Sequence, residues 1–179
     1  MIADTLRKRP PLRHALPAAL AAALAVLAID QLSKHIVVDQ MNLREVGSIE
    51  VFPGLAFRMA WNTGVNFGIG SGGGNLVRWL LSAGTTLVAC FLLGASLSCK
   101  RMISAIGLGI AAGGALGNTI DRFTWGAVAD FLNVSCCGIQ NPWSFNIADI
   151  AVFGGFGLLL LPFGQPKQPP AAPTSAPGA

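Results

Sequence analysis

Leu16–Val38 reads LPAALAAALAVLAIDQLSKHIVV, 23 residues of which only Asp30 and Lys34 carry a full charge. At about 1.5 Å per residue, a helix of this length covers a hydrocarbon layer of about 30 Å. Three further stretches, Leu76–Ser98, Met102–Ile120 and Ile147–Gly164, have the same character. The whole chain agrees with them: its 179 residues are 53% hydrophobic and 11% charged, with a mean hydropathy of +0.59. That balance is far more apolar than a water-soluble domain shows. The expected fold class is an all-α integral membrane protein with four transmembrane helices at about 16–38, 76–98, 102–120 and 147–164, forming one membrane domain over residues 16–164. The connections at 39–75 and 121–146 are too small to hold a second core.

The first span follows Arg7, Lys8, Arg9 and Arg13, as the apolar region of a cleavable leader would. It runs into Asp30, Gln31, Ser33 and Lys34 instead of a small-residue cleavage site, so it is expected to stay in the mature protein. With four alternating spans, those four basic residues share a side with Lys100, Arg101 and Lys167. The positive-inside rule makes that side cytoplasmic, which puts both termini inside and both long loops outside. The net charge of +4 then reports topology and contact with anionic lipid, and no nucleic-acid partner is expected. The ends, 1–15 and 165–179, lack the apolar content needed to pack and are expected to be disordered.

In the first outer loop, Ser48–Ala60 (SIEVFPGLAFRMA) mixes β-formers with a Pro53-Gly54 turn and predicts a small extracytoplasmic β-element. The run Gly70–Gly74 precedes the second span. In the second loop, Phe123–Pro142 is semi-polar and carries Trp125 and Phe131, with Trp143 just beyond; this headgroup-level composition predicts a membrane-surface helix. The adjacent Cys136 and Cys137 are poorly placed for an ordinary disulfide. His14 and His35 form no metal-ligand spacing with other side chains, so no metal and no cofactor are expected.

Ionisable groups at membrane depth cost about 2.5 to 3.5 kcal/mol each on insertion scales, so each needs a partner, a wet cavity or a task. Six lie near the outer interface: Asp30, Lys34, Asp121, Arg122, Asp130 and Asp149. Asp30 and Lys34, four apart with the acid first, predict an ion pair that holds the first span in register and shapes the floor of a site. Asp121 and Arg122 share a helical face with Asn118, which predicts a local polar network in which Arg122 also offers donors to a substrate carbonyl. Asp130 and Asp149 have no basic neighbour in sequence. Brought to one depth by adjacent third and fourth spans, two such carboxylates share a proton and supply one base and one acid. The pair can then activate water for peptide hydrolysis, or relay protons in a transporter, and the residues alone leave both open. Asp149 lies near a helix N-terminus, which favours negative charge.

Five blocks in order resemble the lipoprotein signal peptidase (type II signal peptidase) family from Asp30 to Asp149. Asp30-Gln31-Leu32-Ser33-Lys34 is similar to D-x-x-(S/T)-K, and Asn62-Thr63-Gly64-Val65-Asn66-Phe67-Gly68 to N-x-G-x-(A/S)-F-(G/S). Gly113-Gly114-Ala115-Leu116-Gly117-Asn118-Thr119-Ile120-Asp121-Arg122 is similar to G-G-x-x-G-N-x-x-D-R. Gly126-Ala127-Val128-Ala129-Asp130-Phe131 resembles G-x-V-x-D-F, and Phe145-Asn146-Ile147-Ala148-Asp149 resembles F-N-x-A-D. Asn66 departs from the pattern, standing where the family usually has a small residue.

The resemblance implies a cofactor-free aspartyl endopeptidase of the bacterial inner membrane with Asp130 and Asp149 as its catalytic dyad. The implied substrate is a prolipoprotein already carrying diacylglycerol on a cysteine, cut just before that cysteine at the outer face by an enzyme acting as a monomer among membrane lipids. Asn62, Asn118 and Asn146 then read as amide donors and acceptors that hold the peptide or orient the carboxylates. Gly64, Gly113, Gly114 and Gly117 serve either close helix packing or substrate approach. A proton-relay transporter, the main rival, is disfavoured by the lack of two comparable halves, and an inert scaffold leaves the two aspartates unexplained.

Overall fold

The computed structural model describes residues 13–64, 74–136 and 141–161. Asn66, Phe67, Gly68, most of the Gly70–Gly74 run, Cys137 and both expected disordered tails beyond 13 and 161 fall outside the described residues. The elements are α1 (Ala15–Lys34), continued by a π-helical turn (His35–Gln40); α2 (Leu43–Val46); β1 (Ser48–Phe52); β2 (Leu55–Asn62); α3 (Gly74–Ser96); α4 (Met102–Trp125); β3 (Val128–Val134); and α5 (Ile147–Leu160).

Three helical stretches, Ala15–Gln40, Asn75–Ser96 and Met102–Trp125, are long and apolar enough to cross a membrane. The expected fourth is shorter than 147–164: α5 has 14 residues, or about 21 Å of helix. Its packing sets where it starts. Gly114 of α4 faces Ala148 and Val152, and Gly107, two turns earlier, faces Gly155, Leu158 and Leu159. The two helices are therefore antiparallel, and α5 begins level with a point about two turns before the C-terminal end of α4. The start of α5 therefore lies in a recess against α4.

Helix α4 is the hub, packed against α1, α3 and α5. Gly109, Gly113 and Gly117 recur every fourth residue on one face, and there α1 approaches through Ala19, Ala23 and Asp30. Without a hydrophobic driving force inside lipid, such backbone-close packing is a main source of helix association. Gly107 and Gly114 do the same for α5, so the family-block glycines Gly113, Gly114 and Gly117 are packing residues. The contact with α3 adds polar glue, a 2.6 Å hydrogen bond between the Thr85 and Thr119 hydroxyls.

Beside the helices stands a three-stranded antiparallel sheet in the order β1-β2-β3. The expected hairpin is present, with Pro53-Gly54 at its turn and Ile49 opposite Phe57. The expected surface helix at 123–142 is not: α4 runs on to Trp125, Gly126 closes it at φ +84°, and Val128–Val134 forms β3 beside β2. Val128-Ala129-Asp130-Phe131-Leu132 is a short, largely buried run. Its unpaired backbone groups find partners in β2, whereas a helix there would have buried one flank only. Phe131, expected at headgroup level, is instead 1% exposed and packs with Val37, Val38, Leu43 and Ala129 beneath Phe57. A bulge between Phe57 and Ala60 re-aims β2 just before Ala60 pairs with Asp130.

At Gly109, an added Cβ would overlap the Ala19 carbonyl, while at Gly94 of α3 it would meet nothing within 4 Å. Gly109→Ala is therefore expected to cost about 1 to 3 kcal/mol, read as a lower thermal midpoint of the detergent-purified protein. Gly94→Ala should leave that midpoint unchanged or raise it.

Candidate active site

Two polar clusters meet where β3, α4 and α5 converge, and the lower one is ionic. Lys34 Nζ sits 2.7 Å from Asp30 Oδ2 and 2.7 Å from Asp121 Oδ2, with side-chain exposures of 1%, 0% and 0%. The expected Asp30–Lys34 pair is thus present, but Asp121 belongs to it too. Gln31, to which sequence reasoning gave no role, donates from Nε2 to Asp30 Oδ2 at 3.1 Å and to Asp121 Oδ1 at 3.0 Å. Its signal was its spacing of three from Lys34, which turns both toward α4. Gly117 makes the approach possible, since a Cβ there would lie 2.5 Å from Asp30 Oδ2.

The local network expected among Asn118, Asp121 and Arg122 is accordingly split. Asp121 faces α1, and Arg122 donates from Nη1 to the Asn118 carbonyl at 3.1 Å, its one side-chain hydrogen bond among the described residues. The Asn118 side chain turns to α5, donating to Asp149 Oδ1 at 2.9 Å and accepting from Asn146 Nδ2 at 3.1 Å. Adjacent helical positions point about 100° apart, and α1 and α5 lie on different flanks of α4.

Asn146 is the centre of the upper cluster and fully buried. As N-cap of α5 it forms a capping box with Asp149: its Oδ1 accepts from the Asp149 N–H at 2.9 Å, and Asp149 Oδ2 accepts from its own N–H at 3.2 Å. Its Nδ2 donates to Asp130 Oδ1 at 2.7 Å. One asparagine therefore ties Asp130 of β3 to Asp149 of α5. Asp130 is 4% exposed, and Asn62 ends β2, the strand paired with β3.

Burial, and then the nearby Asp149 charge, push the Asp130 carboxyl up to about 7, against the opposing pull of the Asn62 amide, the Lys34 charge and the Asn146 hydrogen bond. Near neutrality, this carboxyl is therefore partly protonated. The Arg122 guanidinium lies close enough to Asp121, Asp130 and Asp149 to interact with them through space.

Gly64, at φ +76°, donates its N–H to Asn62 Oδ1 at 2.9 Å, and a Cβ there would strike Leu81 of α3 at 2.5 Å and approach Arg122. The turn after β2 thus needs glycine to seat Asn62. Beside Asp149 opens an apolar cavity of about 640 Å³ lined by Phe145, Ile150, Phe153 and Gly154. All the expected site residues among those described converge on these two clusters: Asp30, Lys34 and Asp121 below, and Asn62, Gly64, Asn118, Arg122, Asp130, Asn146 and Asp149 above.

A lipoprotein signal peptidase of Methylorubrum extorquens (strain PA1) is 39% identical over 162 residues, 87% of this chain and 90% of that protein. One from Rhizorhabdus wittichii is 38% identical over 146 residues, 81% of this chain and 84% of that protein. A solved bacterial membrane enzyme superposes with a TM-score of 0.63 at 29% identity, covering 79% of this chain and 84% of its own. The family model for signal peptidase (SPase) II matches residues 22–163, which take in both polar clusters and every helix that supports them, and the chain belongs to that family.

Proposed function

We propose that this protein removes the signal peptide from diacylglyceryl-modified prolipoproteins, cutting before the lipidated cysteine as an aspartyl endopeptidase with Asp130 and Asp149 as its dyad. The observation that carries the reading is the bridge through Asn146, whose Nδ2 and N–H reach one carboxylate each. In the hydrolysis, Asp149 takes a proton from water as the oxygen attacks the scissile carbonyl, while protonated Asp130 hydrogen-bonds and protonates the carbonyl oxygen. Collapse of the tetrahedral intermediate breaks the C–N bond, and the proton held on the dyad passes to the leaving amine. Neither a metal nor a covalent intermediate is required.

Site depth supports a lipid-linked substrate. The dyad lies where α5 begins, in a recess below the outer end of α4, and the apolar cavity adjoins Asp149. Acyl chains can remain in that cavity and the surrounding bilayer while the scissile bond meets a polar pocket. Arg122 and Asn62 are placed to hold the peptide backbone. We further take residues 16–164 as one domain working as a monomer, with α5 as a fourth span, both termini cytoplasmic and the sheet outside; Arg13, Lys100 and Arg101 on the inner side support that orientation.

The test is reconstitution with a diacylglyceryl-modified precursor, following release of the signal peptide. Wild type is expected to cleave, while Asp130→Asn and Asp149→Asn, still folded and inserted, are expected to lose at least about 1,000-fold in rate; turnover near wild type in either variant would sink the dyad.

Activity should also depend on pH with a definite sign. The Asp130 carboxyl, pushed up to about 7, holds its proton below that value and loses it above. The alkaline limb of kcat/KM is therefore expected near pH 7, and activity that keeps rising well beyond it would contradict the assignment of Asp130 as the acid.

A further inference from the structure

The mechanism above uses none of the ionic cluster beneath the dyad, yet that cluster is the most deeply buried charged group among the described residues. Packing alone is a poor account of it. Desolvating charges costs several kcal/mol per ion, and apolar replacements of similar volume are often as stable or more so.

Its hydrogen bonds point to a different use. Each carboxylate accepts three donors in matching fashion. Asp30 receives Lys34 Nζ at 2.7 Å, Gln31 Nε2 at 3.1 Å and the backbone N–H of Ala148 at 3.0 Å. Asp121 receives Lys34 Nζ at 2.7 Å, Gln31 Nε2 at 3.0 Å and the backbone N–H of Ala129 at 3.2 Å. Ala148 immediately precedes Asp149, and Ala129 immediately precedes Asp130. The two backbone groups lie on different elements, α5 and β3, and the side-chain hydrogen bonds of the cluster and of Asn146 tie those elements together at this level.

Resting on the dyad reading, we propose that Asp30, Lys34 and Asp121 form a positioning clamp in which each carboxylate holds the peptide N–H just before one dyad aspartate and Lys34 fixes the two carboxylates to each other. Gln31 doubles the cross-link. The Ala148 N–H is one of the first-turn donors that a helix leaves without an internal partner, so Asp30 completes the N-terminus of α5 alongside the Asn146 cap. The Ala129 peptide is gripped on both sides, its N–H by Asp121 and its carbonyl by Asn146 Nδ2 at 3.3 Å. Asp130 therefore extends from a backbone that has little freedom to shift, which is the condition for two carboxylates to present to one water molecule.

The clamp also sets a field. The charged groups acting on Asp130 are Asp149 from α5, Lys34 from α1 and Arg122 from α4, with Asp121 adjoining Lys34. Removing the Lys34 charge disfavours ionised Asp130, and removing the Asp121 charge leaves Lys34 less neutralised and favours it. The two changes act in opposite directions, which a general loss of folding cannot imitate.

The experiment compares Lys34→Met and Asp121→Asn with wild type, using the diacylglyceryl-modified precursor in detergent micelles and normalising to folded, monodisperse enzyme. Both variants are expected to lose about 10- to 100-fold in kcat with KM unchanged. The pH–kcat profile should move to higher pH for Lys34→Met and to lower pH for Asp121→Asn. Should Lys34→Met not fold, Asp121→Asn decides alone, because the amide keeps the volume of the buried carboxylate while its loss of charge weakens both the bond to Lys34 and the grip on the Ala129 N–H. Profiles superimposing on wild type with undiminished kcat would overturn the clamp. Asp130→Asn in the same assay separates the two claims: if it is inactive while the clamp variants behave as wild type, only the clamp fails, and if it is active, the dyad reading falls first.

Discussion

The contact on which the architecture turns is Lys34 lodged between Asp30 and Asp121, each 2.7 Å away and all three out of reach of solvent. A lysine at this depth must find a counter-charge, and one carboxylate beside it on the same helix would have satisfied it. Finding a second on α4 does more, because it fixes α1 and α4 in one register. That register in turn puts Ala19 and Ala23 opposite Gly109 and Gly113, where the backbones can close. The apolar packing and the ionic cluster thus demand the same alignment, which is the consistency that distinguishes a specified fold from a collapsed one.

Polar chemistry in this protein is layered by depth. The ionic cluster is sealed and fully satisfied, with three donors on each carboxylate. Above it, the neutral amides of Asn146 and Asn118 donate to the Asp130 and Asp149 carboxyl groups, and among the described residues neither carboxyl forms an ion pair with a basic side chain. A lysine or arginine bonded to either would lock it as an anion and remove its ability to exchange a proton. The Lys34 charge acts on Asp130 through space and offsets part of the cost of burial. The short α5 belongs to the same plan, since its recessed start places a helix N-terminus and its unpaired N–H groups inside the protein, where Asn146, Asp149 and Asp30 consume them.

The sheet supplies the other half of the site. β3 delivers Asp130 and β2 delivers Asn62, and the bulge between Phe57 and Ala60 turns β2 so that its end reaches the same point. Phe131, next to Asp130, anchors the strand in the cluster of Val37, Val38 and Leu43 at the end of the first span. The two aspartates of the proposed dyad therefore come from two kinds of element, a strand pinned by its apolar neighbours and a helix pinned by its cap.

Much of this was legible without coordinates. Hydropathy located the apolar helices, because a bilayer imposes a length and a composition that few other environments do. The Pro53-Gly54 turn announced the hairpin, the i,i+4 spacing announced Asp30–Lys34, and charge cost alone singled out Asp130 and Asp149 as the acids without local partners. What tertiary structure decided was everything that depends on which helix lies on which flank of α4. Asp121 and Asn118 sit three apart and invited a common network, but α1 claims the first and α5 the second. The strand at Val128–Val134 looked like an interfacial segment because its aromatic composition fits both a headgroup layer and a sheet, and only the presence of β2 as a partner resolves them. The pairing of each buried carboxylate with a peptide N–H beside the dyad leaves no trace in sequence, since backbone donors are the same at every residue and only their placement in space selects them.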